Sequence, residues 1–336
     1  MVRWLSETKT IRLSDEKVQV NYLFTNPYGL RETQEVVSET LREFGEWGSE
    51  YLTVWSCQND REWKEAHYKF LDSAAEYERE ESGSSLPNPL TSQTTARLVY
   101  APRNIIDVMA KLEEAYQPEL ITLDGRIIRM PSSLRNEKKL LNPNLVLGKK
   151  FLNFKRKNKK AHVVHESSHK LQIDKGYCDP LYQTINEILP NVQSPIIGRT
   201  ILASKLILDD ISANEVALDY GFNEDVFFLS QYAFQGYKSL NLKKREKQPG
   251  LLVADAFGLT SMIIPFKHKS QDTYANKMRG LIDEHLKKIK VIDAVALREH
   301  FEETLDRIKN PSQVSDIKFV LADFVVNYTK GFLINK

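Results

Sequence analysis

His165-Glu166-Ser167-Ser168-His169 is the stretch from which the rest of the chain is read. On a helix, residues four apart sit one above the other. The imidazoles of His165 and His169 therefore share a face and can reach a single metal ion. Glu166 follows the first histidine, so its carboxylate can reach a water held by that ion and take its proton. Val164, Ser168 and Leu171 fall on a neighbouring side of the helix, available for packing, and Ser167 and Ser168 are uncharged, as suits a helix inside a core. Lys170 departs from that uncharged pattern. His162 lies on the metal-facing arc three residues before His165. Three ligands along nearly two turns of one helix fit a tetrahedral ion poorly, so His162 is expected to line a cleft or to be polar surface instead.

The chain has 336 residues, enough for one large or two ordinary domains with a substantial core. With 41% hydrophobic and 27% charged residues, it reads as a soluble globular protein. A formal charge of +2 gives no global nucleic-acid or membrane footprint, so nucleic acid is not an expected partner. Two cysteines, Cys57 and Cys178, exclude a disulfide-rich scaffold and suit a reducing compartment. The first residues, from Met1 to Glu7, lack the apolar segment of a signal peptide, and no run of 18 apolar residues is present. The expectation is a cytoplasmic protein without a membrane span, or one exported without a cleavable signal.

Working outward from the helix, the first half reads as mixed α and β. Val18 to Phe24 alternates apolar and polar as a half-buried strand does, and Tyr51 to Trp55 reads as a second strand. Between them Arg31 to Glu46 has the helical period, with Val36, Val37, Leu41 and Phe44 on its inner side. Residues 61 to 80 look helical and charged, 82 to 89 form a loop, and Pro102 to Tyr116 reads as a helix. Arg97 to Ala101 reads as a strand, and Leu120 to Met130 as a hairpin turned at Asp124-Gly125. Leu145 to Leu147 and Phe151 to Phe154 are expected to add strand just before the key helix. Seven basic residues fall between Lys149 and Lys160. Positive charge opposes the dipole at a helix N-terminus, so most of this run is expected in a loop, as a solvated turn, a basic lip that attracts acidic substrate or a nuclear-localisation-like run. After the key helix the chain is almost wholly helical, over about Asp179 to Leu189, Pro195 to Tyr220, Glu224 to Tyr237, Leu251 to Ile264, Thr273 to Lys288, Ala294 to Lys309 and Val314 to Phe332. The fold class is therefore α+β. Residues 1–175 form a mixed part ending in the histidine helix, and residues 176–336 form a helical part.

A metal held by two histidines needs at least one more protein ligand. Asp174, five residues after His169, is a minor candidate. Glu187 lies opposite the apolar face made by Leu181, Tyr182, Ile185, Ile188 and Leu189, and so points to water. Glu215 lies inside the stripe made by Ile207, Leu208, Ile211, Leu218 and Phe222. A buried unpaired carboxylate is costly, and a metal ion would offset that cost, so Glu215 is the preferred third ligand.

H-E-x-x-H at His165 to His169, followed by a glutamate, three residues and an aspartate at Glu215 to Asp219, resembles the zincin metallopeptidases of the gluzincin type. The alternative metzincin pattern would place glycine at Gln172 and a ligand at Lys175, and neither is present. The resemblance implies a zincin-like catalytic domain and one catalytic Zn2+ on His165, His169 and Glu215. It also implies that Glu166 is the general base, that Asp219 hydrogen-bonds a ligating histidine, and that the substrate is a protein or peptide. Such sites commonly add a Tyr or His to stabilise the oxyanion; Tyr232, Tyr237 and His268 are candidates for it or for the surrounding cleft. Phe151 to Phe154 is the strand proposed to align an extended substrate. The competing reading is a macromolecule-binding protein that uses the basic run 149–160, with zinc structural or absent. A hydrolase of non-protein substrate on the same scaffold is a third.

Overall fold

Lys17–Phe24 alternates buried and outward side chains along its length, Val18, Val20, Tyr22 and Phe24 facing in, and this alternation sets it into a sheet. The computed structural model of the chain describes residues 2–68, 95–99, 119–121, 127–129, 142–192, 194–240, 246–247, 249–290 and 292–333. The fold is α+β, in two units, Met1–Lys175 and Gly176–Lys336.

In the first unit, β1 (Leu5–Arg12), β2 (Lys17–Phe24), β3 (Tyr51–Ser56), β4 (Ala96–Val99) and β7 (Asn144–Leu147) make one sheet in the order β1-β2-β3-β7-β4. The three central strands run parallel, and β1 and β4 are antiparallel to their neighbours. Helix α1 (Leu30–Phe44) joins β2 to β3, a parallel pair that needs such a crossover. α1 stops at Gly45, whose φ of 71° is the left-handed conformation that only glycine adopts freely, and whose N–H bonds to the Leu41 carbonyl. Its Val36, Val37 and Leu41 enter a core shared with Val20, Val54, Leu145 and Val163. A short helix α2 (Asp60–Tyr68) follows β3. β5 (Glu119–Ile121) and β6 (Ile127–Arg129) pair antiparallel, as the expected hairpin requires. The expected loop at 82–89, the helix at 102–116 and the turn at Asp124-Gly125 lie outside the described residues.

Two expectations fail between β7 and the histidine helix. Phe151 and Leu152 belong to a one-turn helix, α3 (Lys149–Leu152), and not to a strand; both side chains are buried, whereas a strand would send them to opposite faces. The basic run is not mainly loop either, because α4 begins at Arg156 and continues to Asp174. The acidic face of α1 accounts for this. Arg156 pairs with Glu35 at 3.0 Å and Glu39 at 2.5 Å, Lys160 with Glu39 at 3.2 Å and Glu43 at 2.8 Å, and the buried Lys159 with Glu32. Carboxylates from a neighbouring helix thus offset the unfavourable dipole. Three of the cations that a basic lip would need are committed to holding α4 on α1.

The second unit is helical: α5 (Asp179–Ile188), α6 (Pro195–Asp219), α7 (Asn223–Lys238), α8 (Pro249–Ser261), α9 (Ile264–His268), α10 (Asp272–Leu286), α11 (Ala294–Leu305) and α12 (Val314–Leu333). α8 is apolar nearly all round and is the core helix. Phe257 lies 5.2 Å from the Phe301 ring of α11 and 4.3 Å from the Phe324 ring of α12. Pro249–His268 is long and apolar enough to cross a membrane, but most of it is buried in this unit.

Candidate metal centre

The histidine helix α4 is packed on one side and open on another. Val164, Ser168 and Leu171 are buried, and Ser168 Oγ donates to the Val164 carbonyl at 2.8 Å. His165, Glu166 and His169 are half-buried. The two imidazoles converge, with Nε2 to Nε2 at 3.2 Å and ring planes at 79° to each other. Two nitrogens each about 2.0–2.1 Å from one tetrahedral zinc ion lie about 3.3–3.4 Å apart, so the pair is spaced to share such an ion. Imidazole nitrogen is also the donor that zinc takes readily.

Behind the pair, His169 Nδ1 sits 3.2 Å from Oε1 of the fully buried Gln172. In the sequence Gln172 stands out only as the residue at the glycine position of the metzincin pattern. The available signal was its i+3 spacing from His169, which puts the two side chains side by side on the helix. Glu166 is held from the sheet: the Leu98 backbone N–H donates to its Oε2 at 2.6 Å. β4 is the last strand of the sheet among the described residues, and Leu98 pairs with Leu145 on its inner side. An antiparallel strand turns the N–H groups of alternate residues away from its partner, and the Leu98 N–H is one of these.

His162 is buried and stacked on Phe154, with ring centroids 5.4 Å apart. Burial, followed by the charges of His165 and Lys150, pushes its pKa down to about 4, so it is neutral at physiological pH. It packs against the helix's own approach segment. Lys170, the residue out of pattern, is buried. It binds the Trp47 carbonyl and the Asp174 carboxylate, and lies 4.9 Å from the Trp47 ring centroid. Burial holds its pKa below the usual lysine range. Asp174 therefore partners Lys170, which removes the case for it as a ligand.

The other sequence-derived residues lie in the second unit. Glu215 is buried, as its helical phase requires, but it is not unpaired. Its Oε1 meets His268 Nδ1, and its Oε2 accepts the Asn310 backbone N–H at 3.1 Å. Protein partners therefore satisfy the buried Glu215 carboxylate, and its burial does not by itself require a metal ion. His268 is buried beside Glu215, with Asp306 3.4 Å from its other ring nitrogen, and is a core partner within this unit. Asp219 pairs with Lys269 at 2.7 Å. Glu187 points to water, as expected, and pairs with Lys318 at 2.5 Å. Tyr232 and Tyr237 both lie half-buried on α7, and the Tyr237 hydroxyl packs against Gly258 of α8.

No family model matches this chain, and neither a curated protein nor a solved structure matches it.

Proposed function

We propose that the chain is a zinc-dependent endopeptidase whose catalytic face is the open side of α4. The observation that carries this reading is the convergence of the His165 and His169 Nε2 atoms at 3.2 Å, with Glu166 on the same open side. His165 and His169 would supply two of the ligands to the ion. Zinc, when bound, supplies Lewis acidity that lowers the pKa of a water and polarises a carbonyl. Glu166 takes the proton from the attacking water and delivers it to the leaving nitrogen.

β4 takes the substrate-aligning role that the sequence reading gave to Phe151 to Phe154. An extended peptide beside β4 would lie next to Glu166 and pair through the outward groups of that strand other than the Leu98 N–H, which Glu166 takes. The reading rests on the first unit alone, since Glu215 and Asp219 have their own partners in the second. The macromolecule-binding alternative is weakened by the ion pairs that occupy Arg156, Lys159 and Lys160.

Incubation of the zinc-loaded chain with a diverse peptide library, read by mass spectrometry for new internal termini, tests the proposal. Cleavage is expected, is abolished by a chelator and returns with added zinc. A library that stays intact under zinc-replete conditions contradicts it.

A further inference from the structure

Gln172 is fully buried, yet it carries an amide, a group that is costly to bury unless its hydrogen bonds are made. Its Oε1 is 3.2 Å from His169 Nδ1, on the side of the ring away from His165. An amide oxygen can only accept, so this contact requires the proton of His169 to sit on Nδ1. The lone pair is then on Nε2, the atom that faces His165 Nε2 at 3.2 Å. The same contact restrains the rotation of the ring.

We propose that Gln172 is a positioning residue that fixes the tautomer and orientation of His169, and through them the affinity of the site for zinc. The second half of this statement rests on the zinc reading above; the first half does not. A neutral amide sets the tautomer without adding negative charge behind the ring. A carboxylate in its place would also raise the basicity of the ligand.

The test uses the full-length chain with Gln172→Met, which keeps length and burial but removes the acceptor, and Gln172→Glu, which keeps an acceptor oxygen. Long-range 15N–1H NMR of the metal-free protein reads the His169 tautomer, and competition with a chromophoric chelator reads the zinc Kd. Wild type is expected to show the Nδ1–H form. Gln172→Met should lose that preference and bind zinc about 10–100-fold more weakly. Gln172→Glu should keep the tautomer and bind zinc at least as tightly as wild type. An unchanged tautomer and an unchanged Kd in a folded Gln172→Met protein overturn the proposal. Should that variant not fold, loss of the Nδ1–H form in Gln172→Glu overturns it. A wild type that shows the Nδ1–H form but takes up no zinc leaves the tautomer role standing and removes the zinc reading instead.

Discussion

Glu166→Gln is expected to lower peptide hydrolysis by about 10²- to 10⁴-fold while leaving zinc content and folding unchanged, since that range is what a positioned general base contributes. The geometry makes the substitution unusually clean. The Leu98 N–H donates to Glu166 Oε2 at 2.6 Å, and a glutamine keeps an oxygen that can accept the same bond. The side chain therefore stays anchored to β4 and loses only its capacity to take a proton. The residue is half-buried on the open side of α4, so little packing is disturbed. Turnover on the cleaved peptides and metal analysis of the same preparation check both halves. Equal turnover by the two proteins would remove Glu166 from the chemistry.

Glu215→Ala is expected to give the largest loss of stability. Both carboxylate oxygens are engaged in the buried interior of the second unit, one with His268 and one with the Asn310 N–H. Removing the acceptor strands both donors at about 1–3 kcal/mol each, so a loss of about 3 kcal/mol is expected. For a unit of this size that lowers the thermal midpoint by about 6–12 °C. Glu187→Ala, which removes an exposed partner of Lys318 and Gln183, should leave the midpoint nearly where it is. Differential scanning calorimetry of the two variants checks the contrast. Zinc content of a folded Glu215→Gln protein then separates the two roles considered for this residue. Loss of zinc assigns the carboxylate to the ion, and retention leaves it to the core.

What could be read from the sequence follows the range of the physics involved. β2 and α1 were legible because their buried residues recur with the period of their own element. β1 was not, because Leu5–Arg12 buries only Ile11 and so carries almost no alternation. The apolar cluster at Phe151 to Phe154 was misread as strand, since a short apolar run does not distinguish strand from a single helical turn. The position of α4's start depends on Glu32, Glu35, Glu39 and Glu43 from a helix far back in the chain, which a local dipole argument does not contain. The same limit applies at Glu215. Helical phase located its burial, but His268 and Asn310 are brought to it only by the tertiary fold. The pair His165 and His169 was legible because four residues on one helix suffice to bring the rings together.

The central claim is that these two rings hold a zinc ion. Metal analysis of purified wild type, His165→Ala and His169→Ala after zinc loading and desalting tests it most directly. The account predicts one zinc per wild-type chain and essentially none in either variant, with all three proteins folded. Zinc-free wild type, or equal zinc in all three, would contradict it.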